Sequence, residues 1–164
     1  MDILDQAMAL EQDGERLYRS FAKDSSDEGA AYIFSRLADQ EKSHYNTFKK
    51  IKERTPLSEE TKVELKSVRD IFEGWRVDGA RLNVRPSQVD LYRKALDVEE
   101  KSIRLYEENA KTADDEKARS AFLLIAGEER RHLQLIENII EFVTKPDIWA
   151  ENAEFGYRGE DYYL

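Results

Sequence analysis

A shift of 88 positions lays the second half of this 164-residue chain on the first. It carries Phe34 onto Phe122, Leu37 onto Ile125, Ala38 onto Ala126, Glu41 onto Glu129 and His44 onto His132. The same shift sets Glu11 on Glu99 and Tyr18 on Tyr106, with no insertion between the two matches. Repetition of this kind means one supersecondary unit used twice. Each unit reads as a pair of helices, so the chain is expected to be a duplicated helical hairpin.

The helices are legible from their seams. Apolar residues recur at alternating spacings of three and four, the pattern of a helix face buried along its length. In the second helix these are Ala30, Phe34, Leu37, Phe48 and Ile51, yet Glu41 and His44 stand in the middle of the same seam. The first helix offers Leu4, Ala7, Glu11, Gly14, Tyr18 and Phe21; the third offers Tyr92, Ala95, Glu99, Ser102, Tyr106 and Asn109. A carboxylate on the driest face is costly unless it is paired or bound to a metal. Six ionisable groups are therefore expected to point at one core: Glu11, Glu41, His44, Glu99, Glu129 and His132. The chain has two histidines, and each falls three residues after a seam glutamate. No cation lies on the seams to answer four acids, which makes a set of buried ion pairs the weaker account.

Composition agrees with long amphipathic helices: 40% hydrophobic, 37% charged, and only seven glycines and three prolines to make turns. A single domain of this length buries a proper core. The net charge of −9 argues against nucleic acid and against anionic membrane surfaces as partners. No apolar run is long enough to span a bilayer, and Met1-Asp-Ile-Leu-Asp5 is not a signal peptide. Cysteine is absent, which excludes disulfides, thiolate nucleophiles and sulfur metal sites within these residues. A cytoplasmic protein is the expectation.

In chain order, helix A is expected from Asp2 to Phe21 or Lys23, with Asp24-Ser-Ser-Asp27 as the turn. Helix B runs from about Asp27 to Glu53 and is stopped by Thr55-Pro56. Residues 55–87 form a linker, within which Ser67-Val-Arg-Asp70 resembles a capping box opening a short helix to Phe72 or Trp75. Its length suits a crossover: a helix of about 25 residues is roughly 37 Å long, which some 30 extended residues span with slack. The same length permits hairpins to be exchanged between subunits. Helix C is expected from Gln88 to Lys111, behind Pro86-Ser87. Helix D runs from Asp114 to Thr144 and ends at Lys145-Pro146. The domain is thus 1–146, followed by an acidic, aromatic tail at 147–164.

Four carboxylates and two imidazoles supply oxygen and nitrogen donors without sulfur, a set suited to iron or manganese. A Glu-x-x-His pair puts both groups on one helix face, within reach of one ion. Glu41 and Glu129 are read as bridges between two ions, with Glu11, His44, Glu99 and His132 as terminal ligands. Ferritin-like dimetal carboxylate bundles are built this way. Two divalent ions would offset the charge of the four acids and remove the burial penalty.

Ala38-Asp-Gln-Glu-Lys-Ser-His44 resembles the helix-B motif of rubrerythrins, members of the ferritin-like superfamily. Glu11-x-x-Gly-x-x-x-Tyr18 and the tail Glu151-Asn-Ala-Glu-Phe155 are similar as well. The resemblance implies an all-α fold: a ferritin-like four-helix bundle of two repeated antiparallel hairpins with a long B–C crossover and a short C-terminal tail. It also implies a diiron oxidoreductase reducing hydrogen peroxide or dioxygen, with manganese or a mixed pair as the alternative metals. Tyr18 and Tyr106 would then lie beside the site as hydrogen-bonding or redox-active groups. Two departures stand out. Rubrerythrins commonly carry a four-cysteine rubredoxin domain, lacking here, so electrons are expected from a separate donor protein. Many also have a further glutamate one turn after the helix-C ligand, where this chain has Ser102. Its loss leaves a more symmetric six-ligand site.

Plainer readings stand beside these. Tyr18 and Tyr106 are equally well explained as core residues with satisfied hydroxyls. Gly14, Ala7, Ala95 and Ser102 either leave room near the metals or let helices approach. Lys42, Lys101, Arg130 and Arg131 read as solvated faces or intrahelical pairs, and Glu128 as surface unless the register slips by one. The competing functions are ferroxidase or iron handling, oxygenation of an organic substrate, and a non-catalytic sensor or scaffold stabilised by metal. A homodimer is the expected assembly.

Overall fold

The computed structural model describes residues 2–56 and 86–145. Among these residues there are four helices and no strand: α1 (Ile3–Asp24), α2 (Glu28–Lys52), α3 (Pro86–Thr112) and α4 (Glu116–Thr144). The expected short helix after Ser67, most of the 55–87 linker and the tail at 147–164 lie outside the described residues.

The helix boundaries follow from capping chemistry. Asp27 is the N-cap of α2, and its Oδ1 accepts from the Ala30 N–H at 2.8 Å. Asp115 does the same for α4, accepting from the Lys117 N–H at 3.3 Å. These two caps are matched positions of the repeat, and each satisfies a donor that the first helical turn leaves open. Because Asp115 serves as the cap, α4 starts at Glu116 rather than at the expected Asp114. In contrast, α3 starts two residues earlier than expected, at Pro86, since the fixed φ of proline suits a first helical position where no N–H is needed. At the end of α2, Arg54 takes the left-handed conformation (φ 54°), and the Thr55 N–H reaches back to the Lys50 carbonyl at 2.9 Å.

Helix α1 packs chiefly on α2, and α3 on α4; the two hairpins then meet through α2 against α4 and α1 against α3. This is a four-helix bundle made of paired hairpins. Its core falls into two apolar clusters. One holds Tyr18, Phe21, Ile33, Phe34, Leu37, Tyr92, Leu135, Ile136, Ile139 and Phe142. The other holds Phe48, Ile51, Tyr106, Phe122 and Ile125 with a group of alanines. Each large side chain so buried contributes about 1.5–3 kcal/mol. Aromatic contacts fill both: Phe34 to Tyr92 at 5.0 Å between ring centroids in the first, and Phe48 to Phe122 at 5.0 Å in the second. Every seam residue named from the sequence for α1 and α3 is buried, apart from Leu4, which is half-buried.

Outside the core, charged groups tie helices together. Arg19 on α1 bonds Asp39 on α2 at 2.6 Å, Lys52 bonds Asp5, and Arg130 on α4 bonds Glu107 on α3. Exposed pairs of this kind contribute little each.

Candidate metal centre

The apolar clusters are separated by a polar layer. Glu11 comes from α1, Glu41 and His44 from α2, Glu99 from α3, and Glu129 and His132 from α4. All six residues are buried, none more than 4% exposed. The reason is local: each sits at a seam position of its helix, so the packing that buries Phe34 or Phe122 carries these groups inward too.

The donors converge as two overlapping sets. Atoms of Glu11, Glu41, His44 and Glu129 lie within 4.8 Å of one another, as do atoms of Glu41, Glu99, Glu129 and His132. Glu41 and Glu129 belong to both. His44 Nδ1 is 3.0 Å from Glu129 Oε1 and 3.3 Å from Glu11 Oε2. His132 Nδ1 is 2.8 Å from Glu129 Oε2, 3.0 Å from Glu41 Oε1 and 3.7 Å from Glu99 Oε1. The imidazoles lie nearly parallel, 5.7 Å apart.

These donors fit a pair of cations. Both Nδ1 atoms, both Glu129 oxygens, Glu11 Oε2 and Glu41 Oε1 are buried without a hydrogen-bond partner. Buried polar atoms are rarely left so, and six converging in one layer mark a ligand site rather than a packing fault. Four acids and two neutral imidazoles balance the charge of two divalent ions. The donor set, oxygen and nitrogen alone, suits divalent metals that do not require sulfur.

Without metal, protons must do this work. Burial opposes charge on the imidazoles, but Glu129 and Glu11 around His44, and Glu129 around His132, outweigh it and hold both rings well above the ordinary histidine range. Burial, reinforced by the charge on Glu129, pushes Glu99 up to about 8 and Glu41 well above the usual carboxylate range. Glu129 goes the other way: burial would raise it, yet the two imidazolium charges hold it below that range.

Around the donors sit residues that aim them. The Tyr18 hydroxyl donates to Glu99, and the Tyr106 hydroxyl to Glu11, each tyrosine serving the first-helix acid of the opposite hairpin. Burial first, then the neighbouring carboxylates, keeps both phenols protonated far above their ordinary range. On the far edge of the imidazoles, His44 Nε2 is 2.6 Å from Glu128 Oε2, and His132 Nε2 is 2.8 Å from Gln40 Oε1. Glu128 is thus half-buried against His44 rather than fully solvated. Its carboxylate is turned to the outer side of the ring and away from the cluster. Burial raises it, but His44 and Arg131 more than compensate and hold it below the ordinary range. Gln40 does not stand out in the seams, and Glu128 reads there as surface, because both lie one position off them. Their matched places in the repeat, one turn before each histidine, are the signal that identifies them.

Gly14 has a specific reason to lack a side chain. A Cβ there would lie 2.8 Å from Glu41 Oε2 and 3.1 Å from its Cδ, so the glycine leaves room for this carboxylate. Ser102 is buried too, with its Oγ donating to the Val98 carbonyl of its own helix at 3.1 Å. Lys42 and Lys101 are exposed as expected. No helix among the described residues is long and apolar enough to cross a membrane.

A four-helix bundle with repeated Glu-x-x-His helices around a buried layer of acids and imidazoles defines a class, the ferritin-like carboxylate proteins. Within that class the chain belongs to the rubrerythrin family, whose model, described as Rubrerythrin, matches residues 2–140. No curated protein and no solved structure matches it.

Proposed function

We propose that this protein is a diiron-carboxylate oxidoreductase that reduces hydrogen peroxide or dioxygen, drawing its electrons from a separate donor protein. Glu41 and Glu129 would bridge the two ions, Glu11 and His44 would complete one coordination sphere, and Glu99 and His132 the other. The observation that carries this reading is the convergence of unpartnered, buried oxygen and nitrogen atoms from all four helices. A pair of ferrous ions held there would supply the two electrons that, with two protons, convert one hydrogen peroxide to two waters.

The chain's own residues support that chemistry in three ways. The aromatic and aliphatic clusters on either side of the polar layer keep bulk water from it. Tyr18 and Tyr106 fix the oxygens of Glu99 and Glu11 and hold protons next to the reacting centre, which makes them the candidate catalytic residues. Glu128 and Gln40 hold the two imidazoles with Nδ1 turned inward.

Ser102 favours a second reading, ferrous-iron oxidation without sustained turnover. The position holds a hydroxyl, occupied by the Val98 carbonyl, and so brings no fifth carboxylate to the site. Iron analysis of protein purified without added metal, followed by hydrogen peroxide titration of the ferrous form, tests both. Two irons per chain and peroxide consumed catalytically once a reductant is supplied are expected. Peroxide consumed once only, whatever the reductant, selects the second reading, and a ferrous form inert to peroxide overturns the first.

A further inference from the structure

The repeat is broken at a chemically significant place on the outer side of the histidines. The shift of 88 that superposes the six donors carries Gln40 onto Glu128, so the two histidines have different partners on their outer nitrogens. His44 Nε2 meets a carboxylate at 2.6 Å, and His132 Nε2 meets an amide oxygen at 2.8 Å. The contacts cross between hairpins: Glu128 on α4 reaches the α2 histidine, and Gln40 on α2 reaches the α4 histidine. Both rings turn Nδ1 to the cluster, so in both Nε2 must carry the proton that its partner accepts. The tyrosines that hold Glu99 and Glu11 are matched across the two halves, whereas Gly14 falls on Ser102.

We infer that Glu128 makes the two halves of the centre unequal, so that the Glu11/His44 half binds its ion more tightly and fills first. This rests on the dimetal reading above. An anionic acceptor on Nε2–H draws the proton outward, raises electron density at Nδ1 and makes that ring a better donor to a cation; a neutral amide does this less. The carboxylate also places one more negative charge near the Glu11/His44 half. Arg131 Nη2, 3.3 Å from Glu128 Oε1, holds the carboxylate in place and takes up part of that charge through its other oxygen. Glu128 is therefore a positioning residue that acts through His44. Outer partners of metal-bound histidines typically change affinity about 10- to 100-fold when removed.

The test is titration of metal-free protein with cobalt(II), followed by visible absorption, for wild type, Glu128→Gln, Gln40→Glu and the double exchange Gln40→Glu/Glu128→Gln. Each change is nearly isosteric, the double exchange keeps the net charge, and far-ultraviolet circular dichroism reports the fold. Wild type should fill in two steps separated by about tenfold or more. Glu128→Gln should bring the steps within about threefold, and Gln40→Glu should do so by tightening the weaker one. The double exchange should restore two steps in reverse order. A crystal grown with one equivalent of manganese(II) should then show the ion beside Glu99 and His132 instead of Glu11 and His44. Two indistinguishable steps in wild type, or a separation unmoved by Glu128→Gln, overturn the inference and leave the dimetal reading intact. Failure of wild type to bind any cobalt overturns both.

Discussion

Gly14 shows how a single position can be set by the site rather than by the fold. In a helix interior glycine is about 1 kcal/mol worse than alanine, and Gly14 is buried on the α1 seam, where a methyl group would ordinarily add packing. What excludes it is the Glu41 carboxylate, 2.8 Å from the place of a Cβ. That carboxylate is the end of a flexible side chain, so it can move where backbone could not. Gly14→Ala should therefore leave the melting temperature of the metal-free protein unchanged or slightly higher, while weakening metal binding about tenfold or more through a displaced bridge. Calorimetric titration beside a thermal melt separates the two effects. A variant that loses stability but binds metal normally would assign the glycine to helix packing.

At the scale of the helix, the repeated N-caps offer an internal comparison. Asp27 and Asp115 open the second helix of each hairpin, and both hold a main-chain N–H of the first turn. The Asp27 bond is the shorter, 2.8 Å against 3.3 Å, and the Asp27 side chain is half-buried where Asp115 is exposed. Replacing Asp27 with alanine should cost about 1 kcal/mol, and replacing Asp115 less. Chemical denaturation of the two variants measures this, with unchanged slopes expected because neither alters the surface exposed on unfolding. An equal or reversed order would mean that helix α4 leans more heavily on its cap than the geometry implies.

For the molecule as a whole, the central layer couples stability to protons and metal in opposite senses. In metal-free protein Glu99 is raised from 4.5 to about 8, first by burial and then by Glu129. Between those values the folded state holds a proton that the unfolded state has released. Its contribution is full below pH 4.5 and is lost as the pH rises through about 8. His44 and His132 act with the same sign: both are held above 6.5, so their stabilisation as imidazolium is complete below that value and disappears at higher pH. Metal-free protein should thus lose stability from pH 4.5 to about 8, with a fall in melting temperature on the order of 5 °C. Metal competes for the same atoms, so the loaded protein should show the reverse trend, and metal uptake should release protons. Melting curves with and without a chelator across this range decide it; a flat profile for the metal-free form would mean that the layer opens to water and loses its coupling.

Much of this protein is legible in its sequence. A period of three and four in the seams, broken by acids and imidazoles at matched places, fixes the helices and picks out Glu11, Glu41, His44, Glu99, Glu129 and His132. These are local regularities, because a side chain's face along a helix follows from its position number. The caps and the proline at the start of α3 shift boundaries by a residue or two for equally local reasons. What the sequence could not decide is which groups meet across helices. That Tyr18 serves Glu99 and Tyr106 serves Glu11, and that Glu128 reaches His44 while Gln40 holds His132, depend on how two hairpins are set against each other; that Gly14 makes room for Glu41 depends on how α1 packs on α2. Such contacts join residues more than 80 positions apart in four of these five cases. Periodicity carries no information about them, because it defines a face and not the partner that the face will find.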